Sequence, residues 1–354
     1  MDVTEVDRLH RHGLVIDSHN DTIVSHIRRG NLSITGREAP HLAHLSGTVS
    51  DLRGPLETDS YAWHGQINLP KMRAGGIDAA FFAVDVTRAC KNHLAYALDA
   101  LGFFAADLSA CEDEIVVARS AAEIEAAKAA GRLAAVLVVE NSDALERSLN
   151  VLRMLHHLGV RSIGITHNLS TWAAAGNAET RSGGGLTRFG ASLVDAMNQL
   201  GMLVDVSHIS ERGFYDTLEV SRRPLIASHS CCAALCDHPR NLTDDQIRAL
   251  AQNGGVIGIT FVPGFVDPDW TPASWPARPS LERFLDHVDH AVEVGGIDHV
   301  GIGSDFDGGG AVLEDASGYP RITAGLAAQG YSAAAIRKIL GENHLRVLRQ
   351  ALGS

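Results

Sequence analysis

The stretch Leu14-Val15-Ile16-Asp17-Ser18-His19-Asn20-Asp21 sets the reading of the whole chain. A short apolar run breaks into His-x-Asp, and strand side chains that repeat every second residue point both groups the same way. The pattern returns in Val138-Val139-Glu140, Val206-Ser207-His208, Ala227-Ser228-His229 and Gly303-Ser304-Asp305. Each is a strand-like run that ends in a group able to bind metal or move a proton.

Working outward, the strand candidates are Leu14–Asp17, Ala79–Asp85, Ala134–Glu140, Ser162–His167, Leu203–His208, Leu225–Ser228, Val256–Phe261 and Val300–Ser304. They are Val/Ile/Ala-rich and do not alternate, as expected of strands buried on both faces. Helical spacing fills the gaps at Ala122–Ala130, Leu145–Leu158, Leu193–Leu200, Glu211–Ser221, Thr243–Gln252 and Leu281–Val294, with a final pair at Ser332–Leu340 and Glu342–Leu352. Thr243-Asp244-Asp245-Gln246 is a helix start with a capping box. Strands alternating with helices imply parallel strands joined by crossovers. Eight such units predict an α/β fold, a (β/α)8 TIM barrel, whose active site gathers at the C-terminal strand ends. The alternative, a doubly wound open sheet, would not collect groups from so many strands into one place. No linker or repeat interrupts the chain, so residues 1–354 read as one domain. Insertions are expected after the first strand, from residue 30 to about 70, and after the fourth, from 168 to 190, around Gly183-Gly184-Gly185.

Composition sets the class. The net charge of −12 argues against nucleic acid as a partner. No window reaches 18 apolar residues, and neither end reads as a signal peptide or lipid-anchor signal, which predicts no membrane association. The five Cys are odd in number; Cys231, Cys232 and Cys236 lack a matching second pair for zinc, so reduced thiols in a cytoplasmic protein are expected.

Taken singly, each candidate has an ordinary structural role: a turn-capping Asp, a hydrogen-bonded core His, a salt-bridged Glu. Together they converge on one mouth. Three His (His19, His208, His229), Asp21 and a Glu140 able to bridge suit two Zn²⁺ ions with open positions. Two such ions can share a hydroxide and lower its pKa, giving a nucleophile at neutral pH. Asp305 is then free to move protons or hold a substrate amine.

These residues resemble the membrane dipeptidase (renal dipeptidase) family, binuclear zinc peptidases among the amidohydrolase-like barrels. The resemblance rests on VIDSHND, INLPKMRAGGIDAAFFAV, the Glu of VVEN, SIGITHN, GLTRFG, MNQLGMLVDVSH, PLIASHS, DHPRN and VGIGSDFDG, and it extends into the C-terminal tail. It implies that His19 and Asp21 bind one zinc, that Glu140 bridges both, and that His208 and His229 bind the second. It implies that His167 contacts the scissile region and steadies the oxyanion, and that Arg240 pairs with the C-terminal carboxylate of a small dipeptide substrate. It implies that Asp305 sits near the substrate amine and delivers a proton to the leaving nitrogen. A D-residue on the C-terminal side and a homodimer also follow from the resemblance. The same centre would serve an N-acyl amino acid, a lactone or a β-lactam. A barrel that had lost its metals and only binds is the reading from another class, and it conflicts with the intact set of ligand positions. Two departures stand out: Asn141-Ser142-Asp143 follows Glu140 where many members have Gly-Gly-His, and residues 30–66 differ from the mammalian enzymes.

Overall fold

The structure is a computed structural model that describes residues 1–45, 47–51, 65–89, 91–274 and 276–353. Its strands are β1 (Ile16–Asn20), β2 (Ala79–Asp85), β3 (Ile115–Val117), β4 (Leu133–Glu140), β5 (Val160–Gly164), β6 (Leu203–Asp205), β7 (Ile226–Ser230), β8 (Val256–Ile259) and β9 (Val300–Ile302). Eight of them run β2-β1-β9-β8-β7-β6-β5-β4 and close through a β2–β4 pairing. All pairings are parallel. This is the expected (β/α)8 barrel. The ninth strand, β3, pairs with β4 at Leu133–Ala135, below the point where β5 takes over at Leu137. It is three residues long and two of them are only half-buried, so no apolar run announces it.

Lack of alternation in the strands has the expected cause. On β4, Ala134, Val136 and Val138 enter the barrel interior with Ile16, Phe81 and Ile226, and Leu345 and Leu348 of the C-terminal helix join the same cluster. Ala135, Leu137 and Val139 face the outer layer under the helices. Continuing the inward series to the mouth brings Asp85 and Glu140 side by side in register.

Helix positions follow the sequence closely. Residues Arg188–Leu200, Glu211–Val220, Asp244–Gln252 and Leu281–Gly295 are helical, and the Thr243/Gln246 capping box forms with both hydrogen bonds present. The helix expected from Leu145 begins at Leu149, because Ser148 caps it and Ser142–Leu145 forms a separate 3₁₀ turn. The two C-terminal helices are one run: Ala333–Arg337 and Asn343–Leu352 are joined by a π-helical stretch, Lys338–Glu342. His93–Ser109, the longest helix, has an apolar surface too broad to give a clear stripe in the sequence.

Both insertions are present. After β1 come the helix Thr22–Arg28, a 3₁₀ turn at Pro40–Leu42 and a short helix, Thr48–Asp51; residues 46 and 52–64 lie outside the described residues. Buried Asp107 pins the described part, accepting from Ser33 Oγ at 2.7 Å and Ile34 N at 2.6 Å. The insertion after β5 is tied down by antiparallel bridges from Ala174 to Leu186 and from Gly176 to Ile209. Cys111, Cys231, Cys232 and Cys236 are buried free thiols, while Cys90 lies outside the described residues. Among the described residues no helix is long and apolar enough to cross a membrane.

Candidate metal centre

Backbone irregularities, rather than strict alternation, aim the histidines. Between Ile16 and Asn20 four steps of β1 match three of β2, and between Ile226 and Ser230 four steps of β7 match three of β8. A one-residue shift of this kind re-aims the side chains beside it. His19 and His229 stand in these two shifts and stack at 3.7 Å. Asp21 is outside the strand as the residue preceding the Thr22–Arg28 helix, so the His-x-Asp pair meets through a turn rather than along an extended chain. His167 and His208 lie past the ends of β5 and β6, and their rings stack at 4.1 Å. His208, Asp305 and Asp307 all have positive φ, at 66°, 58° and 64°. Non-glycine residues held there mark sites where surrounding structure imposes the conformation.

The imidazoles and carboxylates converge. His19 Nε2 lies 3.8 Å from both Asp21 Oδ1 and Glu140 Oε2. Glu140 Oε1 lies 3.1 Å from His208 Nε2 and 3.5 Å from His229 Nε2. The two Nε2 atoms of His208 and His229 are 2.8 Å apart. His167 offers a nitrogen to the same cluster as Glu140 and His208. His19 Nε2, Asp21 Oδ1 and Glu140 Oε1 are buried and have no hydrogen-bond partner.

Burial governs the electrostatics. Desolvation holds His19 down to about 3 and keeps His208 and His229 well below the usual histidine range, so all three are neutral and carry a lone pair. Desolvation first, and neighbouring acids second, push Asp21 and Glu140 far above the usual carboxylate range. Asp305 is raised to about 7, by burial first, with Asp17 and Asp85 adding to it and Arg240 opposing. A buried ring of carboxylates facing neutral imidazoles is costly alone and is stabilised by divalent cations. Orphaned donor atoms, neutral His and clustered carboxylates together fit a metal site, and the N/O donor set suits zinc.

Other groups fix this arrangement, and the sequence did not reveal them. Asn168 Oδ1 is 2.7 Å from His208 Nδ1. Ser228 Oγ lies 2.8 Å from His229 Nδ1, 3.5 Å from His19 Nδ1 and 2.5 Å from Asp205 Oδ2. Asp205 is buried and also accepts from Ser207 N and Ser228 N. The signal for Asp205 was its place at the end of β6; for Asp85, it was the alternation Ala79, Phe81, Ala83. Asn141, at the departure after Glu140, has φ 81° and donates to Thr87 Oγ1 at 3.3 Å, joining the β4 and β2 mouths.

Arg240 is buried against the strand β7, donating to His229 O at 2.8 Å, and its Nε has no partner. Burial lowers it to about 10, so it stays a cation at neutral pH. It lines a small cavity of about 170 Å³ that shares His208 with the main one. The main cavity, about 410 Å³, is lined by Asp21, Glu140, His167, His208, His229 and Asp305, and also by Arg28, Asp85 and Arg88.

The membrane dipeptidase family (peptidase family M19) matches residues 3–353. The chain belongs to this family. A crystal structure of dipeptidase AC, a metallopeptidase of family M19, has a TM-score of 0.82 and 29% identity over 96% of this chain and 99% of that one. A metallopeptidase from Rhodobacter sphaeroides, liganded with a phosphinate mimic of the dipeptide L-Ala-D-Ala, has a TM-score of 0.81 and 27% identity, again over 96% and 99%. Dipeptidase verJ of Clonostachys rogersoniana is 39% identical over 240 residues, 67% of this chain. The chain spans about 60% of that curated relative's length.

Proposed function

We propose that this M19 member hydrolyses dipeptides at a binuclear zinc centre. One observation carries the reading: three neutral imidazoles and two carboxylates converge on one buried space, where His19 Nε2, Asp21 Oδ1 and Glu140 Oε1 have no hydrogen-bond partner. His19 and Asp21 would hold one ion, His208 and His229 the other, and Glu140 both. Bound there, the ions would supply a water of lowered pKa and polarise a carbonyl.

The chain's own residues do the rest. Arg240, a buried cation with a free Nε, holds the substrate's C-terminal carboxylate. His167, stacked on His208 at the cavity wall, donates to the oxyanion that develops on the carbonyl oxygen. Asp305, poised at about 7, takes a proton from the attacking water and passes it to the leaving nitrogen. In its other role it faces the free amine of the substrate. The phosphinate ligand of the Rhodobacter relative mimics a tetrahedral centre between L-Ala and D-Ala, which supports an L,D-dipeptide among the substrates. An N-acyl amino acid would use Arg240 equally well; Asp305, as an amine partner, favours the dipeptide.

The test compares L-Ala-L-Ala, L-Ala-D-Ala and N-acetyl-alanine, with metal content measured in parallel. Dipeptide turnover with close to two zinc ions per chain, abolished by chelation and restored by zinc, is the expected outcome. Glu140→Ala should empty both positions. Cleavage of the N-acyl substrate alone would reverse the substrate assignment, and active protein holding a single ion would reverse the metal assignment.

A further inference from the structure

Two arginines on the wall of the main cavity have no role in the chemistry above. Arg28 ends the Thr22–Arg28 helix after β1, and Arg88 follows β2. Both line the cavity that holds Asp21, Glu140 and His167. Among the described residues, neither guanidinium has a hydrogen-bond or ion-pair partner, and Arg28 Nε is a buried atom left without an acceptor. They are near enough to repel: after desolvation, the charge of Arg88 is the main cause lowering Arg28. Beside them the Tyr96 hydroxyl is fully buried and has no partner either. Burial raises that phenol well above its usual range, so it stays a neutral donor. Donors thus gather here without an acceptor. Leaving the buried Arg28 Nε and Tyr96 hydroxyl unpaired is costly, and an anion held between Arg28 and the exposed Arg88 would supply the missing acceptor. Asp85, an acid whose charge acts on Arg28, forms no ion pair with either arginine; its Oδ1 accepts from Thr87 N at 2.7 Å.

The barrel order says which part of a substrate reaches them. Arg240 follows β7 and Asp305 follows β9, while β1 and β2 come next around the ring. A dipeptide with its carboxylate at Arg240 and its amine at Asp305 therefore extends the side chain of its amine-bearing residue towards the β1–β2 rim. We propose that Arg28 and Arg88 form a subsite for an acidic side chain on that residue, so that dipeptides beginning with Glu or Asp are the preferred class. The proposal rests on the dipeptidase reading for its orientation, and on the unpaired cations for its charge.

Zinc-loaded protein is assayed with Glu-Ala, its isostere Gln-Ala, and Lys-Ala. A charge-assisted contact predicts Glu-Ala over Gln-Ala by about tenfold or more in kcat/KM. Arg28→Gln, or the more exposed Arg88→Gln if the first folds poorly, should bring the ratio towards unity. The ratio within one protein cancels any general loss of activity. Calorimetry of L-glutamate and L-glutamine binding to the same preparations gives a readout without turnover. Equal treatment of Glu and Gln by the wild type in both measurements overturns the subsite. Preference for Lys-Ala overturns it in favour of Asp85, and a Glu preference that survives the substitution overturns it as well. Selective glutamate binding lost in Arg28→Gln, with no dipeptide cleaved, leaves the subsite standing and removes the hydrolysis reading instead.

Discussion

A single hydroxyl, Ser228 Oγ, stands within 3.5 Å of Nδ1 on both His229 and His19 while lying against the Asp205 carboxylate. Donating its proton to Asp205, it accepts from both rings and leaves both Nε2 atoms as lone-pair donors. Ser228→Ala is predicted to weaken zinc binding by about ten- to a hundredfold, read by competition with a chelator. Unchanged affinity would remove Ser228 from the centre. Asp305 makes a separate prediction. Its φ of 58° is tolerated by Asn, so Asp305→Asn keeps the backbone as well as the side-chain size. It should retain most of the metal while kcat falls by about a hundredfold or more, since positioned proton transfer is lost. Metal lost in proportion to activity would make Asp305 a ligand instead. Asp307 is the control: it accepts from Gln66 N at 2.8 Å and Thr22 Oγ1 at 2.9 Å, so Asp307→Asn should cost stability more than turnover.

Among the elements, the strands set the position of the site through what they leave out. Ser18 on β1 donates across the barrel to Ser228 O and Ile302 O, and only glycines fit around that link. A Cβ on Gly303 would lie 1.8 Å from Ser228 O, and one on Gly258 would lie 2.2 Å from the same atom. Both clashes are with backbone, which cannot rotate away. Gly303→Ala is predicted to cost about 3 kcal/mol or more, visible as a lower denaturation midpoint or failed folding. Loss of the capping box in Thr243→Ala should cost only about 1 kcal/mol by the same measurement. The order matters: if the cap proved worth more than the glycine, close approach of β7 and β9 would not be what holds the mouth in shape.

Across the whole molecule, buried neutral histidines make the fold sensitive to acid. His10 donates to Gly75 O and accepts from Thr323; His287 accepts from Cys232 N and donates to Val266 O; His344 lies beneath Gly301 and donates to Ile302 O. Desolvation lowers all three, His344 to about 4. Between that value and the unfolded histidine's usual ~6.5 the unfolded chain binds the extra proton. Stability from these groups is therefore present above pH ~6.5 and is lost as pH falls towards 4. For His344 alone the loss is on the order of 3 kcal/mol. Denaturant titrations from pH 7 to 4.5 should show it, and His344→Asn should flatten the dependence. An equally steep slope in the variant would place the acid sensitivity elsewhere.

The sequence by itself determined the barrel, because a strand buried on both faces must be apolar throughout and must end where a polar group appears. Those same ends named His19, Asp21, Glu140, His208, His229 and Asp305, and the family resemblance added His167; the structure brings all of them to one mouth. Hidden from the sequence were the features that depend on partners distant in the chain. The one-residue shifts in β1 and β7 are defined only against β2 and β8. Asp205 and Asn168 matter through the histidines they touch, and Asp85 through its register with Glu140. Strand β3 exists because β4 has a free edge below β5. The unpaired charges of Arg28 and Arg88 are visible only once no acceptor is found beside them. Periodicity is local and survives in the sequence; register, orientation and unsatisfied charge belong to contacts between segments, and only the closed barrel decides them.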